Sequence, residues 1–108
     1  MNQSISKNAV FNPSKSIEYT ENGVVSKQLS KKETGNVTLF AFDKGQGLSE
    51  HTAPFDAIIH LLDGEAEVTI NKQKIILSKE DMIIMPANIP HSIYASSAFK
   101  MLLTMIKG

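Results

Sequence analysis

The chain has 108 residues, enough for one domain that buries a core without disulfide bonds or structural metals. Eleven basic residues balance eleven acidic ones, so the sequence lacks the concentrated positive charge that nucleic-acid and anionic-membrane surfaces require. Cysteine is absent, the first twenty residues contain no apolar leader, and no stretch approaches the roughly 18 apolar residues of a membrane span. We therefore expect a cytoplasmic protein with no nucleic-acid and no membrane partner.

The chain divides into a polar arm and a series of strands. Residues 1–14 are largely polar and include the turn signal Asn12-Pro13, so we expect an N-terminal arm with a weak helix over residues 4–10. From residue 16 onward, short apolar runs recur about every 8 to 12 residues with turn residues between them, the pattern of an all-β sandwich or barrel. The clearest predicted strands cover residues 37–42, 57–62, 65–70, 74–77, 82–85, 91–95 and 99–106.

Two short turns separate strands in the middle of the chain. Asp63-Gly64 predicts a hairpin between the second and third of these strands, since glycine adopts the positive φ that two-residue hairpin turns need. Asn71-Lys72 predicts a second hairpin, with a weaker signal, after the third strand. The third strand alternates apolar and polar residues, as expected for a strand with one buried face.

Several glycine, proline and histidine positions have a recognisable spacing. Gly45 precedes His51 by six positions and Gly64 follows, while Pro86 precedes His91 further along the chain. This arrangement resembles the two motifs of the cupin family, commonly written G-x5-H-x-H-x3,4-E-x6-G and G-x5-P-x-G-x2-H-x3-N.

The resemblance implies the architecture of the whole chain. The first motif corresponds to residues 45–64 and the second to residues 80–95. The implied fold is a single cupin domain over residues 1–108, an all-β double-stranded β-helix or jelly-roll barrel, with residues 1–14 as its arm. The family also implies a homodimer, and we expect the N-terminal strands to extend the partner's sheet.

The family's metal ligands are only partly present. In cupins, two His and one Glu from the first motif and one His from the second typically hold a metal. His51 and His91 match, whereas Ala53 stands at the second His position and Ala57 at the Glu position. A divalent ion such as Zn, Ni, Mn or Fe held by His51 and His91 alone would be weakly bound, because zinc sites normally have three or four protein ligands.

Two glycine positions of the second motif are also replaced. Asn88 can preserve the turn before His91, because asparagine tolerates left-handed backbone better than other non-glycine residues. Glu80 at the other position indicates a relaxed turn.

Strand parity and the resemblance together predict a ligand pocket. His51, Ala53 and Ala57 share a parity that the family places inside the barrel, and His91 should face inward from an opposing strand. His60 has the opposite parity, so we interpret it as a packed or interfacial residue. The predicted pocket consists of His51, Ala53, Ala57, Ile59, His91, Ile93, Phe42 and Met85.

Three functions remain open. The leading hypothesis is a non-catalytic binding or sensing module that takes a small-molecule ligand between the two histidines, and it assigns no catalytic residue. The alternatives are a metal-dependent cupin enzyme, an oxygenase or isomerase acting on a small carbonyl or aromatic compound, and a structural or interaction barrel whose histidines are inherited fold residues. Only two of the family's four metal-ligand positions keep a coordinating side chain, which favours the binding module. The sequence also shows neither a nucleophile elbow nor a phosphate-binding glycine loop.

Overall fold

A computed structural model describes residues 5–107 of the chain, which form nine β-strands and one short 3-10 helix, Pro13–Lys15. No helical segment in this part of the chain has the length and apolar character needed to cross a membrane. The strands are β1 (Val24–Lys32), β2 (Gly35–Phe42), β3 (Gly47–His51), β4 (Ala57–Asp63), β5 (Ala66–Ile70), β6 (Gln73–Leu77), β7 (Met82–Met85), β8 (His91–Tyr94) and β9 (Phe99–Ile106).

The strands form two antiparallel sheets. The five-stranded sheet has the order β1-β2-β9-β4-β7, and the four-stranded sheet has the order β3-β8-β5-β6. Strands that follow one another in sequence therefore often lie in different sheets, as in a jelly roll. The structure confirms the predicted all-β double-stranded β-helix, and β7 and β9 have the bounds expected from the sequence.

The main core lies between the inner faces of the two sheets. The rings of Phe42 and Phe99 stack with centroids 4.7 Å apart, and Ile59, Leu61 and Val68 are fully buried beside them. Burying a side chain of this size stabilises the fold by about 1.5–3 kcal/mol. The alternating residues of β5 thus face the core as the sequence predicted.

The N-terminal segment covers part of the outer face of the five-stranded sheet. Ile17 is buried there against Leu39 and Ala41. The ammonium group of Lys100 donates to the carbonyl oxygen of Ser14 at 2.6 Å, which ties the segment down. The predicted weak helix over residues 4–10 is wrong for residues 5–10, which form no helix; its first residue lies outside the described part.

One of the two predicted hairpins is present. Asn71 and Lys72 have φ values of 49° and 68°, which suits a two-residue turn, and β5 pairs with β6 around them. Asp63-Gly64 makes no hairpin, because β4 pairs with β7 and β9 while β5 pairs with β6 and β8. Gly64 instead makes the crossing between sheets possible: its φ is 76°, and a β-carbon there would collide with the carbonyl oxygen of Ala98.

The connections between strands gather at two ends of the molecule. At one end, which we call the histidine end, the amide of Asn88 donates to the carbonyl oxygen of Ala53, and the amide of Lys107 donates to that of Thr34. The histidine end comprises residues 33–34, 52–56, 71–72, 86–90 and 107. The opposite end comprises residues 43–46, 64–65, 78–81 and 95–98.

Candidate functional site

Two histidines meet where β3 and β8 lie side by side. His51 is the last residue of β3, His91 is the first of β8, and the two stand directly opposite each other in the antiparallel ladder. Their ring centroids are 4.4 Å apart and their planes are inclined by 67°. They are therefore neighbours in one sheet, whereas the sequence interpretation had placed them on opposing strands.

Backbone carbonyl groups orient both imidazole rings. The Nδ1 atom of His51 lies 2.7 Å from the carbonyl oxygen of Ser49, and that of His91 lies 3.2 Å from the carbonyl oxygen of Ile89. A carbonyl oxygen can only accept, so each neutral ring carries its proton on Nδ1 and donates it there. The Nε2 atom of each ring is then left as an acceptor for a ligand or metal.

The two histidines differ sharply in environment. His51 is exposed, whereas His91 is only 5% exposed and belongs to the inner face of the four-stranded sheet. Burial lowers the pKa of His91 below its usual 6.5. The hydrogen bond to Ile89 opposes this shift, and the nearby His51 lowers the pKa further. His91 is consequently a neutral imidazole at pH 7.

The other predicted pocket residues lie mostly in the packed core. Phe42 and Ile59 have no exposed surface, so neither side chain borders a space that admits water. Any ligand space lies nearer the histidine end, where Ala53 is half-buried. The remaining predicted residues of the pocket wall are buried members of the same core: Ala57, Met85 and Ile93.

Hydrogen bonds between loops hold the chain in place around the histidines. The backbone N–H of Asn88 donates to the carbonyl oxygen of Ala53 at 2.7 Å. The carboxylate of Asp56 accepts from the backbone N–H of Ala87 at 2.8 Å. Asn88 has a φ of 63°, so the predicted left-handed turn is present. Glu80, expected to mark a relaxed turn, has a φ of 79° and thus keeps the conformation of the glycine it replaces.

The residues at the site do not fit the family's usual metal. Within residues 5–107, no three or more His, Cys, Asp or Glu side chains are grouped so that they could hold a metal ion. The methyl groups of Ala53 and Ala57 cannot coordinate, which leaves the two Nε2 atoms as the donors. Two nitrogen donors form an incomplete zinc shell.

His60 lies on the outer face of the five-stranded sheet, away from the histidine pair. It stands opposite Met82 and Leu102 in the ladder. This outward position agrees with the expectation, from its position in the strand, that His60 faces away from the predicted pocket. It lines a cavity of about 280 Å³ between β4, the N-terminal segment and the turn before β7. The cavity is lined by Asn12, Pro13, Ser14, His60, Leu61, Leu62, Lys79 and Glu80.

One polar residue of the inner face was not predicted from the sequence. Asn36 in β2 has the parity of Phe40 and Phe42, which pack in the core, and its side-chain oxygen is buried. The signal was available, because a polar residue that shares the parity of core residues in the same strand also faces inward. It was overlooked because the predicted strand began at residue 37.

Comparisons with known proteins agree on one family. Residues 38–107 match the model of the cupin domain. A conserved protein of unknown function from Streptococcus pyogenes is 33% identical with a TM-score of 0.93, covering 99% of this chain and 94% of its own. A cupin superfamily protein from Desulfitobacterium hafniense is 30% identical with a TM-score of 0.91, covering 100% and 99%.

A third similar structure is longer than this chain. A Cupin 2 conserved barrel domain protein from Leptotrichia buccalis is 39% identical with a TM-score of 0.87, and the match covers 90% of this chain and 47% of that protein. The search of curated proteins gave no match.

Proposed function

The chain belongs to the cupin domain family, and from that premise we propose that it is a non-catalytic binding or sensing module for a small organic molecule. The observation that carries the proposal is the pair of imidazole rings 4.4 Å apart, each oriented through Nδ1 by a backbone carbonyl group. Rings held in this way need little reorganisation on binding, which favours affinity. The ligand's polar group would lie against the two Nε2 atoms.

The donor set argues against a tightly held metal as the cofactor. Ala53 and Ala57 replace a nitrogen and a carboxylate ligand by methyl groups, which cannot coordinate a metal ion. A two-nitrogen site favours weak, exchangeable metal binding over the stable site that a metal-dependent oxygenase or isomerase requires.

The proposal can be tested by screening small organic acids, alcohols and heterocycles by ¹H–¹⁵N NMR and measuring affinities by calorimetry. We expect ligands that perturb the ring signals of His51 and His91, and we expect His91→Gln to weaken binding at least tenfold. His60→Gln is the matched control, since it removes an imidazole from the outer face, and it should leave affinity unchanged. Ligands that instead perturb His60 would contradict the proposed site.

A metal titration separates the binding module from the enzyme. Protein incubated with Zn, Ni, Mn or Fe and then dialysed should retain well under one equivalent. Stoichiometric metal that survives dialysis and is lost in His51→Gln would favour the metal-dependent enzyme. If neither small molecules nor metals bind at the pair, the structural or interaction role remains.

We also propose that the protein forms a two-fold homodimer through its N-terminal arm. Val10 and Phe11 are exposed apolar residues of the arm, and Met82 and Ile84 are 60% and 61% exposed on β7, an edge strand of the five-stranded sheet. An exposed apolar edge strand must be covered to avoid unspecific pairing. The arm of one protomer, packed along β7 of its partner, would cover it and extend the sheet.

Light scattering with size-exclusion chromatography tests the dimer. The wild-type chain should be dimeric at micromolar concentration, and the double variant Val10→Asp and Phe11→Asp should shift it towards monomer. Asn8→Asp is the control, because it adds a charge to the same arm without removing an apolar contact. A wild-type monomer, or a dimer that the double variant leaves unchanged, would contradict the arm exchange.

A further inference from the structure

The cavity beside His60 lies apart from the histidine pair. It belongs to the outer face of the five-stranded sheet, whereas His51 and His91 pair within the four-stranded sheet. Its volume is about 280 Å³. Pockets for drug-sized molecules begin at roughly 300 Å³, so this cavity suits a smaller metabolite.

Hydrogen bonds hold the walls of this cavity in place. On the side of the N-terminal segment, the ammonium group of Lys100 binds the carbonyl oxygen of Ser14 at 2.6 Å. On the other side, the backbone N–H of Glu80 donates to the carbonyl oxygen of Leu61 at 2.8 Å, and the N–H of Leu61 donates to that of Asp81 at 2.9 Å. The cavity is therefore formed by the fold itself, and a ligand would require little reorganisation to enter it.

Glu80 has an unusual backbone conformation for its residue type. Its φ is 79°, in the left-handed region where a long side chain is strained, and the second motif of the family has glycine at this position. Glycine would form the same turn without strain. Strained residues are concentrated at ligand-binding and catalytic sites, and Glu80 lines the cavity.

The charged groups of the cavity are not used by the fold. Lys79 and Glu80 are exposed, and neither forms an ion pair within residues 5–107, where the ion pair observed joins Lys74 to Glu67. The half-buried ring of His60 makes no hydrogen bond in the same part of the chain. One positive charge, one negative charge and an imidazole thus remain for a ligand.

Asn12 adds a further donor to the lining. Its Oδ1 accepts from the backbone N–H and from the hydroxyl group of Ser14, at 3.0 and 2.9 Å. These two bonds orient the side-chain amide and leave its NH2 group to donate to a ligand. The lining therefore offers an ammonium and an amide donor for an anionic group, and a carboxylate for a cationic group.

We propose that this cavity binds a small α-amino acid as a zwitterion, whose carboxylate accepts from Lys79 and Asn12 while its ammonium group donates to Glu80. A purely anionic ligand would face the carboxylate of Glu80, and a purely cationic ligand would face the ammonium group of Lys79. A ligand that carries both charges matches both side chains. This site is additional to the binding function proposed at the histidine pair and does not depend on it.

Three matched molecules test the inference by NMR titration of the full chain. L-Alanine carries both charged groups, propionate lacks the ammonium group and ethylamine lacks the carboxylate. We expect L-alanine to shift the backbone amide signals of Lys79 and Glu80 and the ring signals of His60, and to leave the rings of His51 and His91 in place. Propionate and ethylamine should each bind at least about tenfold more weakly, the usual effect of losing a charge-assisted hydrogen bond.

Variants identify the residues responsible. Lys79→Met and Glu80→Gln should each weaken L-alanine binding about tenfold, and Glu80→Gln keeps the size of the side chain and so should keep the turn. Lys72→Met and Glu65→Gln are the matched controls, because they remove the same charges from exposed positions that do not line the cavity. Both controls should retain the wild-type affinity.

Three results would overturn the inference. L-Alanine might leave the cavity signals unchanged or shift those of His51 and His91 in their place; propionate or ethylamine might bind as tightly as L-alanine; or the control variants might weaken binding as much as the cavity variants. An amino acid that reaches His60 concerns this cavity alone. The function proposed above depends on the acids, alcohols and heterocycles of its own screen, so the two proposals fail separately.

Discussion

The burial of His91 predicts that the protein loses stability as the pH falls below neutrality. In the folded state, burial lowers the pKa of His91 below 6.5, the value expected in the unfolded chain. Between these two pKa values the unfolded chain binds one more proton than the folded protein, so acidification favours unfolding. Well above pH 6.5 both states are neutral at this residue and its contribution is constant.

The magnitude follows from the number of protons involved. One imidazole that is 5% exposed contributes one proton, so the free energy of unfolding should fall with a slope of up to about 1.4 kcal/mol per pH unit below pH 6.5. The slope should flatten once the pH passes the lowered pKa, where both states are protonated. The ring of His51, whose centroid lies 4.4 Å away, lowers the pKa of His91 further and keeps the sign the same.

Urea unfolding at a series of pH values between 5 and 8 measures this slope. Because carboxylates also titrate at the acid end, the contribution of His91 is the difference between the wild type and His91→Gln, which should show a flatter pH profile. His60→Gln is the matched control and should keep the wild-type difference between pH 7 and pH 5.5. A wild-type profile parallel to that of His91→Gln, or stability that rises on acidification, would refute the reasoning.

Three further predictions concern the turns, the missing ligands and the N-terminal segment. Gly45→Ala should lower the free energy of unfolding in urea by roughly 1 kcal/mol through backbone strain, and Gly64→Ala should lower it by more. Both glycines have positive φ, but a β-carbon would meet a neighbouring atom only at Gly64. Equal losses in the two variants would contradict the proposed collision. Ala53→His with Ala57→Glu should raise retained Zn or Ni towards one equivalent by elemental analysis, since it restores the family's four ligands; unchanged metal content would show that the backbone no longer supports the site. Tyr19→Phe should lower the free energy of unfolding by about 1 kcal/mol, because it removes the 2.7 Å hydrogen bond that the Tyr19 hydroxyl donates to the carboxylate of Asp63. An unchanged urea midpoint would show that the N-terminal segment is held by other contacts.

The local pattern predicted most of the strands and identified the family. Alternating apolar residues predicted β5 because a strand with one buried face must alternate, and the two-residue turn at Asn71-Lys72 needed only residues that accept positive φ. The motif spacing identified His51 and His91 as candidates and showed which ligand positions are alanine. These features depend on neighbours within a few residues, so the sequence contains them directly.

The tertiary structure decided how these elements meet. Asp63-Gly64 has the composition of a hairpin turn, yet the strands on either side pair with distant partners in different sheets, which local sequence does not encode. For the same reason, only the pairing of β3 with β8 makes His51 and His91 neighbours in one ladder. The buried oxygen of Asn36 likewise emerges only when β2, β9 and β4 lie side by side, because burial is a property of residues brought together from far apart in the chain.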